Sequence, residues 1–351
     1  MLNLTELNDS IPELDRAAME AAVDHWNNVA KPIGSLGLLE DLVVQIAGLQ
    51  GTPQVCIDRR VALPMCADNG VVAEGVTQTG QEITTLVAGN MAKGISSVCV
   101  MGRVAGVDVV PTDVGMVQPA PDVRDRSVAR GTQNMVNGPA MTREQALQAI
   151  QVGIDAAAWA ADQGYKLIVS GEMGIGNTTT SSAVASVLLD QLVEQMTGVG
   201  AGLSSDGLKR KVAAIKKAIQ VNQPNPDDAL DVLAKVGGFD IAALAGLCIG
   251  GALRGVPVLL DGFISTVSAL VAYRMCPKCI SALIATHVSG EPAARTVLEA
   301  LGLTPVIHAG MRLGEGTGAV CLIPMLDMAL NMYNGASFEA IGMEAYEVSP
   351  R

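Results

Sequence analysis

The stretch Lys166-Leu-Ile-Val-Ser170-Gly-Glu-Met-Gly-Ile-Gly-Asn-Thr-Thr-Thr180 constrains the fold more than any other. An apolar run too short for a helix leads straight into glycines and then into a segment that predicts a helix over 179–197. Bounded by turn residues, such a run reads as a buried strand. The pattern recurs at Arg60–Cys66, Val107–Val114, Val256–Leu260 and Ala282–Ala285. Residues 143–163 read as a helix opened by Thr142 as N-cap, with Glu144 and Gln145 in its first turn. Strands alternating with helices predict an α/β fold with a mostly parallel sheet and helices on both faces. Ligands of such sheets bind beyond the carboxyl ends of the strands. Asp68, Asp113, Glu172, Asp261 and Ser289 all follow predicted strands at that end.

The 351 residues suffice for two domains, or for one large α/β domain with an appendage. Residues 4–50 carry apolar positions at helical spacing (Leu14, Ala17, Ala18, Ala21; then Leu38, Leu39, Leu42, Val43, Ile46, Leu49), broken at Lys31-Pro-Ile-Gly-Ser-Leu-Gly37. The last 35 or so residues are also mainly helical. The expected division is a small helical domain from 1–50 and 320–351 around a large α/β domain, 51–319. Hydrophobic residues make up 49% of the chain but aromatics only 3%, so the core must be built from Ala, Val, Leu, Ile and Met. A net charge of −12 and no Lys/Arg cluster argue against nucleic acid as a partner. Seven cysteines in a long chain, most in apolar runs, read as reduced buried thiols. The N-terminus lacks the pattern of a signal peptide. Ile241–Leu253 is too short and glycine-broken for a membrane span. The expectation is a cytoplasmic protein.

Two glycine-rich segments each carry an acid. Met311-Arg-Leu-Gly-Glu-Gly-Thr-Gly-Ala319 sets Glu315 between two glycines, which suits a general base in a dry pocket; the plain alternative is an exposed turn. Gly171–Asn177, between strand and helix, offers backbone N–H groups and a helix dipole to an anion. It is not a Walker A loop, and it lacks the spacing of a dinucleotide fingerprint. Phosphate binding is favoured over plain strand-on-helix packing. Gly202–Lys211 places three cations at a helix start, where the dipole does not favour them, so Lys211 is a candidate phosphate partner against a reading of solvated surface charge. Cys276-Pro-Lys-Cys279 has no second pair and reads as structural thiols. His25, His287 and His308 are isolated, and neither a metal nor a cofactor is expected.

Taken together, Lys31–Gly37, Ala67-Asp-Asn-Gly-Val…Glu74-Gly-Val76, Gly171–Thr179, Gly207…Lys211, Leu260–Ser265, Ser289-Gly-Glu-Pro292 and Arg312–Gly318 resemble the nicotinate-nucleotide–dimethylbenzimidazole phosphoribosyltransferase (CobT) family from about residue 30 to 330. The resemblance implies a large Rossmann-like domain with a small helical one, and a homodimer. It implies transfer of phosphoribose from nicotinate mononucleotide to the lower-ligand base of a cobamide, with inversion to the α-ribotide. Glu315 would be the base. Gly174, Gly176, Lys211 and Ser289 would hold the 5′-phosphate, with Asn177 in the same loop. Glu172 and Asp261 would line the ribose and nicotinate side, and Gln78, Leu86, Met173 and Leu313 the aglycone pocket. The sequence departs from the family pattern at Thr77–Leu86: many members carry a Gln-Met pair where Leu86-Val87 stands. An apolar Leu86 removes a hydrogen-bond partner for the second benzimidazole nitrogen, so a phenol or p-cresol becomes a candidate aglycone. Members acting on phenolics work as heterodimers of related chains, which leaves a second expectation, a non-catalytic nucleotide-binding subunit. A dehydrogenase using the glycine loop is weaker, since the spaced glycines are absent.

Overall fold

The computed structural model describes residues 2–346. Its centre is a seven-stranded sheet in which every pairing is parallel. The strands are β1 (Arg60–Ala67), β2 (Val107–Val109), β3 (Thr112–Gly115), β4 (Arg124–Asp125), β5 (Leu167–Met173), β6 (Val258–Leu260) and β7 (Leu283–Ala285). They run in the order β4-β3-β1-β5-β6-β7, with β2 also paired to β1. The α/β expectation holds.

Three expected boundaries move. Val107–Val114 is split into β2 and β3, though β3 resumes the register of β2 on β1, with Arg60 opposite Val107 and Met65 opposite Thr112, before it shifts by one residue at Ala67. Pro111 interrupts the ladder because it has no N–H to give. β5 runs on through Gly171 and Glu172 to Met173, still paired with β1. The glycine-rich segment is therefore half strand and half loop. The helix expected over 179–197 becomes Asn177–Leu188 and Val193–Met196. The chain turns between them at Asp190, whose φ of 50° no helix can hold.

Along β1 the side chains alternate as a two-faced strand requires. Val61, Leu63 and Met65 join the core beneath helices Arg143–Asp162, Phe239–Leu253 and Phe263–Met275. Ala62 faces the opposite layer, with Met91, Val98 and Leu322 of helices Glu82–Ala92, Ser97–Ala105 and Thr317–Tyr333. Helix Arg143–Asp162 starts with a capping box, the Thr142 hydroxyl accepting the Gln145 N–H at 3.1 Å and the Gln145 side chain accepting the Thr142 N–H at 2.9 Å. The run Glu82–Ala105 has the length and apolarity of a membrane span. It folds as two helices, with Gly94 in the left-handed conformation between them.

Helices Arg16–Asn28 and Leu38–Gln50 pack with the end of Thr317–Tyr333, where the Trp26 and Tyr333 rings meet edge-on at 4.8 Å. The turn between the first two is held by a buried Lys31–Glu40 ion pair at 2.7 Å. Helix Thr317–Tyr333 crosses residue 320 unbroken, its first half on the sheet and its second against these terminal helices.

Helices Arg143–Asp162 and Phe239–Leu253 touch backbone to backbone. A Cβ on Gly246 would stand 1.9 Å from the Ile150 carbonyl oxygen, and one on Gly153 1.8 Å from that of Ala243. No side chain fits without separating the pair. Gly246→Ala is therefore expected to cost about 3 kcal/mol, at the upper end of overpacking effects. The check is the urea midpoint of the variant against the parent.

Candidate active site

Connections from β1 lead to β3 and β4, and those from β5 to β6 and β7, so the strand order reverses between β1 and β5. A crevice opens beyond the carboxyl ends of strands at such a switch. Here it holds a cavity of about 230 Å³ lined by Glu172, Met173, Gly174, Asn177, Asp261, Ser289, Leu313 and Glu315 of the residues expected from sequence. A second cavity of about 140 Å³ adjoins it through Gly174, Asn177 and Thr178 and adds Gln78, Gly176 and Lys211. Leu86 lines neither. Helix Glu82–Ala92 turns Thr84, Ala88 and Met91 inward and leaves Leu86 58% exposed.

Glu315 has φ 64°, a left-handed conformation that costs a non-glycine residue energy. Its neighbouring glycines admit protein rather than ligand. A Cβ on Gly171 would lie 2.5 Å from the Glu315 carbonyl oxygen, and one on Gly314 2.6 Å from Glu172 Oε1. The Glu315 carboxylate is partly buried and accepts the Val98 N–H at 3.1 Å, in the first turn of helix Ser97–Ala105. The sequence pictured this acid as the buried one. The deeply buried acids of the cavity are instead Asp261 and Glu172, and burial, with the Asp240 charge beside it, pushes Glu172 up to about 8.

Asp261, expected along the ribose, is committed to backbone. Its Oδ1 accepts the N–H groups of Gly318 (2.8 Å) and Ala319 (3.1 Å), and its Oδ2 that of Gly316 (3.1 Å). This caps helix Thr317–Tyr333 and fixes the loop carrying Glu315.

In the glycine loop the anion cradle has fewer amides than the sequence suggests. The Ile175 N–H is taken by the Thr84 hydroxyl at 3.1 Å and the Asn177 N–H by the Gly174 carbonyl at 3.1 Å. The dipole of helix Asn177–Leu188 still points at the cavity. Of the three cations of Gly202–Lys211, Lys209 pairs with Asp206 on the surface and Arg210 reaches the Gly75 carbonyl. Only Lys211 turns inward. It is fully buried, donating to Thr178 Oγ1 (2.9 Å) and the Gly198 carbonyl (3.1 Å), and burial lowers it to about 8 despite Glu291 nearby. The Ser265 hydroxyl and Glu291 Oε2 are buried with no partner among the described residues, and both residues line the larger cavity.

Sequence reasoning missed Asp240, hidden in an apolar helix under Gly174, and His287. The His287 ring lies against Gly318, and burial lowers its pKa. Cys276 and Cys279 are buried thiols pushed up by desolvation, the first to about 11, in keeping with a structural role. Among the described residues no three His, Cys, Asp or Glu side chains are grouped to hold a metal.

Residues 11–342 match the profile of a family described as Phosphoribosyltransferase. A nicotinate-nucleotide–dimethylbenzimidazole phosphoribosyltransferase of Acetivibrio thermocellus is 44% identical, over 96% of this chain and 97% of that one. The chain belongs to that enzyme family. A relative of the same name from Halalkalibacterium halodurans is 45% identical over 98% of this chain and 97% of its own. The crystal structure of CobT from Thermus thermophilus superposes with a TM-score of 0.88 at 37% identity, covering 93% of this chain and 99% of that one.

A lysine buried with only neutral hydrogen-bond partners weakens a phosphoribosyltransferase that has no phosphate to bind. Lys211 drops from 10.5 to about 8 on folding, so between those values the unfolded chain binds more protons and stability rises with pH. The penalty is complete below about 8. Lys211→Met should gain roughly 3 kcal/mol at neutral pH and lose the rise above pH 8. Denaturant titrations of both proteins across that range test it.

Proposed function

We propose that the chain transfers the 5-phosphoribosyl group of nicotinate mononucleotide to a cobamide lower-ligand aglycone, releasing nicotinate. The observation that carries this reading is one cavity system. It joins a loop acid, Glu315, to a helix N-terminus and a buried lysine, Lys211, about a shared glycine loop. Lys211, Ser289 and the Gly174–Thr178 loop take the phosphate and so position the sugar. Nicotinate leaves as a pyridine from a cationic pyridinium and needs little acid assistance. The nucleophile is a weak neutral N–H or O–H and needs a base. Glu315 removes that proton: one carboxylate oxygen is anchored by the Val98 N–H and the other takes the proton. Attack opposite nicotinate turns the β-anomer into the α-ribotide.

Both 5,6-dimethylbenzimidazole and a phenol offer a single acidic proton to Glu315. The exposed position of Leu86 leaves the choice between them to surfaces beyond the two cavities. Helices Glu82–Ala92 and Ser97–Ala105 carry exposed Leu86, Val100 and Val104, the last 85% exposed. That apolar face supports a homodimer, with a related chain as the alternative partner.

The chain alone, given nicotinate mononucleotide with either dimethylbenzimidazole or p-cresol, should form ribotide by mass spectrometry. Glu315→Gln should lower kcat/KM by about 10²- to 10⁴-fold with nicotinate mononucleotide binding kept. Full activity in that variant removes Glu315 as the base. Substrate binding without turnover in the parent favours the non-catalytic subunit.

A further inference from the structure

Two acids beneath the glycine loop take no part in phosphate binding or in proton removal by Glu315. Glu172 lies at the end of β5, and Asp240 in the first turn of helix Phe239–Leu253, the latter 0% exposed. Neither is ion-paired among the described residues. The Asp240 carboxylate is wedged in place. A Cβ on Gly174 would lie 2.4 Å from its Oδ2, and one on Gly238 2.4 Å from its Oδ1.

The Asn177 amide stands between the two acids. Its Nδ2 donates to Glu172 Oε2, and a Cβ on Gly174 would meet both that Nδ2 (3.2 Å) and Asp240 Oδ2 (2.4 Å). Asp240 accepts the Ile241 N–H at 3.0 Å and the Asn69 amide at 3.4 Å. Two carboxylates side by side in a dry interior do not both ionise. Asp240 has two donors and Glu172 one, so the shared proton belongs to Glu172. With Oε2 occupied, it sits on Oε1, beside Gly314 at the cavity wall.

We propose that Asp240 is a positioning residue for the transfer reaction. Its negative charge, fixed beside Glu172 in a dry interior, keeps Glu172 a neutral carboxylic acid with its O–H at the substrate cavity, against the Asn177 N–H that favours the carboxylate, so that proton removal falls to Glu315. This rests on the reading of Glu315 as the base. Burial and like charge agree with the assignment, pushing Glu172 to about 8 and Asp240 only to about 6. Asp261 and Glu315 face Glu172 and push the same way. Asp68 and Asp113 stand around Cys66 at the ends of β1 and β3, Asp113 paired with Arg130 at 3.0 Å. His287 and Arg312 line the same cavity, and Lys211 the adjoining one.

The test is a carbon-13 NMR titration of the ligand-free full chain labelled at glutamate Cδ, with the Glu172 signal assigned by its loss in Glu172→Gln. The expected midpoint is near 8. Asp240→Asn keeps the shape and removes the charge, and should lower that midpoint by about one unit or more. The alkaline fall of kcat/KM with nicotinate mononucleotide should move down with it, and should vanish from the Glu172→Gln profile. A parent midpoint below about 6 overturns the proposal even if Asp240→Asn does not fold. So does an unmoved midpoint in that variant. The expected titration without any ribotide product would leave the acid pair standing and remove the reaction reading instead.

Discussion

Three backbone N–H groups on one buried carboxylate hold the active-site loop to the sheet. Asp261 follows β6 and is itself fixed by Ser170 of β5, whose hydroxyl donates to the Leu259 carbonyl and accepts the Asp261 N–H. From there the Asp261 carboxylate takes the N–H groups of Gly316, Gly318 and Ala319. Hydrogen bonds to a charged acceptor contribute about 1.5–3 kcal/mol each, against roughly 1–2 kcal/mol for a residue held left-handed. The strain at Glu315 is therefore outweighed locally. On the other side His287 closes on Gly318, where a Cβ would stand 2.1 Å from its ring. The loop is set by the sheet rather than by a ligand.

The electrostatics follow from that arrangement. The chain carries a net charge of −12, and its cavity is walled by acids, yet a nucleotide substrate is anionic. Attraction must come from local groups: the dipole of helix Asn177–Leu188, buried Lys211, and Arg312 at the rim. The Asp261 carboxylate is turned to three backbone amides. A proton on Glu172 would take one negative charge from the wall. Under the proposed reaction Lys211 is stabilising only when the substrate phosphate joins it, and that affinity is gained at the expense of the ligand-free fold.

Much of this was legible in the sequence because it rests on local rules. Five short apolar runs became strands, Thr142 capped its helix, and Glu172, Asn177 and Ser289 came to one cavity because each ends or follows a strand at the same end of the sheet, where the loop of Glu315 also lies. What was illegible depended on three-dimensional approach. Asp240 sits in a run so apolar that only the fold shows it under Gly174. The glycines around Glu315 looked like room for a ligand, and the room is filled by β5 and Glu172. Asp261 lines the cavity as expected, but its capping bonds to residues some 55 positions away have no sequence signal.

The two ends of the site are built from different physics, which bears on the breadth of aglycone under the proposed reaction. The end proposed for the phosphate is made of buried Lys211, half-buried Thr178 and the glycine loop. A mispaired group there costs a full desolvation penalty, so substitutions are poorly tolerated and the phosphoribosyl donor stays fixed. At the other end the wall is apolar and open, with Leu313 57% exposed. A methylene gained or lost on an apolar wall changes binding by only about 1–3 kcal/mol. Leu86, 58% exposed and outside both cavities, unbalances no buried network there. Under the proposed reaction, a base at Glu315 beside an open apolar wall therefore sets its demand on the acidic proton of the aglycone and little on the rest of it.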